Sequence, residues 1–169
     1  MKRIALISDT HGYVGEDIFK YLVNCDELWH AGDIGDMQTL EKYETILPAF
    51  RGVYGNIDDH RIRAAIPEYQ SFEIEGLKVL MTHIGGYPGR YYPGTRSKLE
   101  KEHFGLFISG HSHITKIMKD KKYDLVHMNP GSCGHHGFHL IRTLIRFSVE
   151  NGKIFDVEVV ELGRRGKIN

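Results

Sequence analysis

Asp9 and His11, Asp33, Asn56, His83, and His111 with His113 are the residues of this chain whose types could do chemistry together. Carboxylate, carboxamide and imidazole suit zinc, manganese, iron or cobalt. Asp-x-His sets two donors on one side of an extended segment, because side chains alternate along a strand. Both can then reach one ion. His-x-His repeats the spacing at 111 and 113, where each ring could serve a different ion. Seven donors are too many for one catalytic ion, which keeps about three protein ligands and an open position. They suit two ions that share one carboxylate. A glycine precedes Asp33, Asn56 and His111, which lets the backbone turn tightly beside a crowded centre.

These donors fall where elements end. Apolar runs predict strands at 3–8, 28–31 and 49–54, alternating with helical spacing at 15–23, 37–43 and 58–66. Asp9 and His11 follow the first strand, Asp33 the second and Asn56 the third. Strands at 71–74 and 77–82 flank Glu75-Gly76, a hairpin signal, and His83 follows. A loop at 84–95, rich in Gly, Pro and Tyr, leads to a helix at 96–104. A strand at 106–109 ends at His111-x-His113. Strands at 114–118 and 125–128 form a candidate hairpin. Strands at 139–149 and 154–162 flank Asn151-Gly152, a strong hairpin turn. Residues 164–169 are expected to fray. The first half alternates strand and helix and the second is mostly strand, so a mixed α/β sandwich follows, sheet on sheet with helices outside. Ligand donors at the carboxyl ends of strands share one rim if the strands are largely parallel.

The 169 residues fit a single domain spanning 1–169, with no repeat, linker or low-complexity segment. Lys plus Arg and Asp plus Glu each number 22. That balance argues against an electrostatic nucleic-acid binder or a basic membrane-surface protein. No run approaches the 18 or so apolar residues of a membrane span, and the amino-terminal apolar run is too short for a secretory signal. Cys25 and Cys133 lie far apart in no metal-like spacing, which suits a reducing, cytoplasmic compartment.

Asp9-x-His11, Gly32-Asp33, Gly55-Asn56-x-Asp58, His83 and Gly110-His111-x-His113 occur in the order of the calcineurin-like metallophosphoesterases. The short length, the Gly-Asn-x-Asp form and Asn129-Pro130-Gly131-Ser132 resemble the small bacterial and archaeal phosphodiesterase branch, to which Vps29 is related. The resemblance implies a four-layer αββα sandwich of two mixed sheets flanked by helices. It implies a dinuclear phosphodiesterase acting on a small phosphodiester, with manganese as the first expectation and zinc, iron, nickel or cobalt also suited. Asp9, His11, Asp33 and His113 would hold one ion. Asn56, His83 and His111 would hold the other, with Asp33 bridging. Asp33, Asn56 and His83 would be the catalytic set. In such centres two ions roughly 3.5–4 Å apart lower the pKa of a bridging water toward about 7, and the hydroxide attacks phosphorus. The ions would also add local positive charge that the composition does not show. Homo-oligomers occur in this branch, and the alternatives are a Vps29-like binding scaffold or a nuclease.

One position departs from the pattern. Larger relatives have His after the Asn, where it assists the leaving group. Here Ile57 stands there, which favours diesters with good leaving groups. Asp58 is expected to support Asn56 or the turn rather than act as an acid, and His30 to be structural. His60, His103 and His127 are read as ordinary. Arg90 or Arg96 could hold a phosphate, Tyr91 and its neighbours could stack on a base, and His135, His136 and His139 could line the pocket or support the ligands.

Overall fold

The computed structural model describes residues 1–166. One five-stranded sheet has the order β12-β11-β1-β2-β3, from β1 (Lys2–Ile7), β2 (Glu27–His30), β3 (Ala49–Gly52), β11 (Ile141–Glu150) and β12 (Lys153–Arg164). The other has the order β4-β5-β8-β10-β9, from β4 (Tyr69–Ile74), β5 (Leu77–Thr82), β8 (Leu106–Ile108), β9 (Thr115–Asp120) and β10 (Leu125–Pro130). Helices α1 (Glu16–Leu22), α2 (Met37–Ile46), α3 (His60–Ala65) and α4 (Pro93–Lys101) complete the layers.

Alternation along the strands builds those layers. Ile4 and Leu6 of β1 face inward with Trp29, Val79, Met81, Leu106, Ile108 and Met128 between the sheets. Ala5 and Ile7 face outward onto Ile18 and Leu22 of α1. On the second sheet Leu80 and Phe107 face outward onto Leu99 of α4. Strands buried on both faces read as continuous apolar runs, as those of β1 and β5 do. The αββα sandwich of two mixed sheets is therefore the fold.

The strands β1, β2 and β3 are mutually parallel, and so are β5, β8 and β10. Three expectations change. The stretch 84–95 is ordered, with β6 (Gly86–Tyr87) and β7 (Arg90–Tyr91) paired as a small hairpin. Helix α4 begins at Pro93, not at 96, because proline is pre-set for the first helical turn. The fray expected over 164–169 is absent at its start. Arg164 pairs with Ile141, and the Arg165 amide donates to the Leu140 carbonyl at 2.9 Å; residues 167–169 lie outside the described residues. Both cysteines are free and buried. No helix among the described residues is long and apolar enough to cross a membrane.

Candidate metal centre

The carboxyl ends of β1, β2, β5 and β8 converge on one rim and bring six of the seven donors into two groups. Asp9, His11 and His113 form one; Asp33, His83 and His111 form the other. Within each group the ligand atoms lie within 4.8 Å of one another. Asp33 Oδ2 stands 3.6 Å from His11 Nε2 and 3.2 Å from His83 Nε2, so its carboxylate reaches both groups. His113 Nε2 is 3.0 Å from Asp9 Oδ1. Asn56 is exposed after β3 and lines a depression of about 280 Å³ together with His83.

Hydrogen bonds fix which nitrogen of each ring faces the centre. His83 Nδ1 donates to the Ala31 carbonyl at 2.7 Å, which leaves the Nε2 lone pair aimed at Asp33. His139 Nε2 donates to the Gly134 carbonyl at 2.9 Å. Its Nδ1 is then an acceptor for His113 Nδ1 at 3.2 Å, and His113 Nε2 is left as a lone pair toward Asp9. Outer partners of this kind set the tautomer of metal-binding histidines. While both rings are neutral, lone pairs on nitrogen and oxygen face each other, and either a ring proton or a cation must stand between them. Asp9 Oδ1, His11 Nε2 and His83 Nε2 are buried without a hydrogen-bond partner. Buried unpaired polar atoms are costly, and a divalent cation among them removes that cost. The donor set fits such ions.

Burial pushes the Asp9 carboxyl up, but the hydrogen bond from His113 and the charges of His83 and His113 outweigh it and hold it below the usual carboxylate range. Burial likewise opposes charge on Asp33, and His83, followed by the Ile57 amide, holds it down. The second oxygen of each carboxylate is tethered. Asp9 Oδ2 accepts from Ser8 Oγ at 2.5 Å and the His111 amide at 3.2 Å. Asp33 Oδ1 accepts from the Ile57 amide at 3.1 Å.

The Asp-x-His pair does not meet by strand alternation. Asp9, His11, Asp33, His111 and His113 all lie in the left-handed region, with φ of 55°, 47°, 55°, 68° and 58°. The chain leaves each strand in a tight coil, and that coil, not an extended segment, aims the side chains. Asp, Asn and His tolerate this region better than most residues, though such backbone still costs of order 1–3 kcal/mol per residue and clusters at functional sites. Glycine is demanded beside them. A Cβ at Gly32 would stand 2.6 Å from the His83 ring, and one at Gly55 would overlap Asp33 Oδ1.

Asp58 and His30 support the loops. Asp58, buried, accepts from the Gly55 and Gly35 amides at 2.7 and 2.9 Å. His30 Nδ1 accepts from the Gly32 amide at 3.1 Å, so Nε2 donates to Thr10 Oγ1 at 2.9 Å. Complete burial pulls this ring down to about 3, and it stays neutral.

The proposed substrate contacts fare differently. Tyr91 packs in the outer core of the second sheet, and its hydroxyl donates to Asp120 at 2.6 Å. Arg96 Nη2 reaches back to the Tyr91 carbonyl and faces a depression that also holds Glu100 and Asp120. Arg90 is exposed on β7 and is absent from the walls of the cavity beside His83 and His111. The hairpin causes this, because its pairing sends Tyr91 inward and its neighbours elsewhere. His135 is turned to the Arg165 carbonyl and the Tyr13 ring. His136 is exposed, with its ring 4.9 Å from that of His11. His139, beside them, is hydrogen-bonded to His113, a donor of the centre.

The family model described as a calcineurin-like phosphoesterase superfamily domain matches residues 1–152. A protein of Methanothermobacter thermautotrophicus named "Probable metallophosphoesterase" is 33% identical, with 76% of this chain and 76% of that protein covered. An archaeal phosphodiesterase of known structure superposes with a TM-score of 0.72 at 22% identity, covering 94% of this chain and 99% of its own. Vps29 of Chaetomium thermophilum gives 0.73 at 17% identity, covering 97% and 100%. At such identities the two structural likenesses carry the fold alone.

Proposed function

This chain belongs to the calcineurin-like phosphoesterase superfamily, and we propose that it hydrolyses a small phosphodiester at a two-metal centre. The observation that carries the reading is the set of buried, unpartnered atoms Asp9 Oδ1, His11 Nε2 and His83 Nε2, facing one another across the rim. Asp9, His11, Asp33 and His113 hold one ion in this reading. Asn56, His83 and His111 hold the other, and Asp33 is shared. Bound divalent ions would supply Lewis-acid charge to the phosphoryl oxygens and a water of lowered pKa.

The chain's own residues do the positioning. The Ala31 carbonyl and His139 keep His83 and His113 in the tautomer that offers Nε2. Ser8 and two backbone amides orient the carboxylates. At position 57 the side chain is apolar and the residue's part is its amide, donated to Asp33. No side-chain proton reaches the leaving group from there, so substrates with acidic leaving groups react fastest.

The test is hydrolysis of bis-p-nitrophenyl phosphate with Mn²⁺ by wild type, Asp33→Ala and His83→Ala. Loss of a donor is expected to cost more than about a hundredfold, since even outer-shell changes cost about 10–100-fold. Equal rates in all three refute the reading. Elemental analysis after Mn²⁺ loading separates the scaffold alternative: under one ion per chain favours a Vps29-like binding scaffold.

A further inference from the structure

A cavity of about 220 Å³ opens beside the centre and shares His83 and His111 with it. It lies on the outer face of the second sheet, beneath the stretch that forms β6, β7 and the start of α4. Ser109 and His127 come from the sheet, Tyr87 and Tyr92 from the overhanging stretch, and Ile114 and Lys116 from the β9 side. Drug-sized ligands occupy roughly 300–1,000 Å³, so this space suits one ring system.

Its walls are fixed in advance. Ser109 Oγ donates to the Gly86 carbonyl at 3.1 Å, and the Tyr92 amide to the Gly85 carbonyl at 3.1 Å. Lys116 Nζ stands 4.0 Å from the centre of the Tyr87 ring. Tyr87 and Tyr92 remain 38% and 51% exposed, which leaves aromatic surface free for a ligand. His127 is different. It is 1% exposed and stacked 5.2 Å from the Phe107 ring, yet its Nδ1 has no partner. It is a polar ring in a layer where Phe107 and Leu125 pack, and it forms part of the cavity wall. Burial pulls the ring down to about 4, so it is neutral and offers one donor and one acceptor.

We infer that this cavity seats a heteroaromatic ring of the nucleobase type carried by the phosphodiester, with Tyr87 and Tyr92 against its faces and His127 meeting its polar edge. The inference rests on the phosphodiesterase reading above and names its substrate class. A plain phenyl group would leave His127 unmet.

Two esters with the same leaving group test it: methyl p-nitrophenyl phosphate and the p-nitrophenyl ester of thymidine 5′-phosphate. Wild type is expected to favour the nucleoside ester at least about tenfold in kcat/KM. Tyr87→Ala and His127→Phe are each expected to cut that preference by about tenfold, the scale of one lost base stack. A wild-type preference near one, or a preference that neither substitution moves, overturns the inference while leaving the phosphodiesterase intact. Should His127→Phe not fold, Tyr87→Ala alone decides, because that ring is exposed. If wild type hydrolyses neither ester, the phosphodiesterase reading fails. The cavity is then judged by saturation-transfer NMR of thymidine 5′-monophosphate on metal-stripped protein. Transfer to the ring protons that Tyr87→Ala abolishes supports the cavity, and its absence from wild type overturns it.

Discussion

Two ends of the sandwich use left-handed backbone for unlike purposes. At the amino end of β1 and β5, Glu75-Gly76 and Asn151-Gly152 have φ of 49°, 78°, 52° and 74°. The two turns touch, since the Gly152 amide donates to the Glu75 carbonyl at 2.6 Å. A two-residue hairpin demands this geometry, because its twist matches that of the strands. At the carboxyl end, Asp9, His11, Asp33, His111 and His113 take up similar angles with no two-residue hairpin to require them. There the conformation aims side chains. Turn geometry at one end closes the fold, and the same geometry at the other is a cost borne by the site.

Removing metal should divide the two ends most sharply. Chelation is expected to lower hydrolysis of bis-p-nitrophenyl phosphate by more than about a hundredfold, with Mn²⁺ restoring it. Amide exchange should quicken over 9–12 and 110–113 and stay unchanged at 75–76 and 151–152. Equal quickening at both ends would erase the contrast.

Paired glycine substitutions come next. Gly55→Ala drives a Cβ into Asp33 Oδ1, so activity should fall at least about tenfold and stability by about 1–3 kcal/mol. Gly76→Ala meets only the Gly152 amide, at 3.4 Å, but holds φ at +78°. It should cost about 1 kcal/mol in thermal unfolding and leave kcat alone.

His139→Phe removes the acceptor that fixes His113. Metal affinity, read by competition with a chelating dye, should weaken about 10–100-fold, with little change in metal-free stability. Unchanged affinity would remove His139 from the centre.

The smallest effects test the strain directly. His111→Gly should raise the stability of the metal-free protein by up to about 1 kcal/mol while hydrolysis is lost. Asn151→Gly should move stability by less than about 0.5 kcal/mol, since Asn already suits a type I′ turn. A fall in stability on His111→Gly would mean that the rim is not strained.

Much of the fold was legible because its strands are continuous apolar runs ending in polar residues. Asn151-Gly152 marked its hairpin outright. That residues able to donate to a metal stand at the strand ends was legible for the same reason. The stretch after His83 was not. Tyr87, Arg90, Tyr91, Tyr92 and Arg96 look equivalent in a list of loop residues, and a short hairpin assigns them opposite sides. Tyr91 enters the core, while Tyr87 and Tyr92 face the cavity. His127 read as ordinary because its unmet nitrogen is visible only once Phe107 and the sheet surround it.

The amino-acid sequence by itself determined which residues stand at the ends of which strands, since that depends on periodicity over a few residues. Tertiary structure alone decided that Asp9 faces His113, that Asp33 lies between His11 and His83, and which nitrogen of each ring looks inward. Those relations join residues up to about a hundred positions apart. They follow from strand order, from the coil after each strand and from outer hydrogen-bond partners, none of which is a local property of the chain.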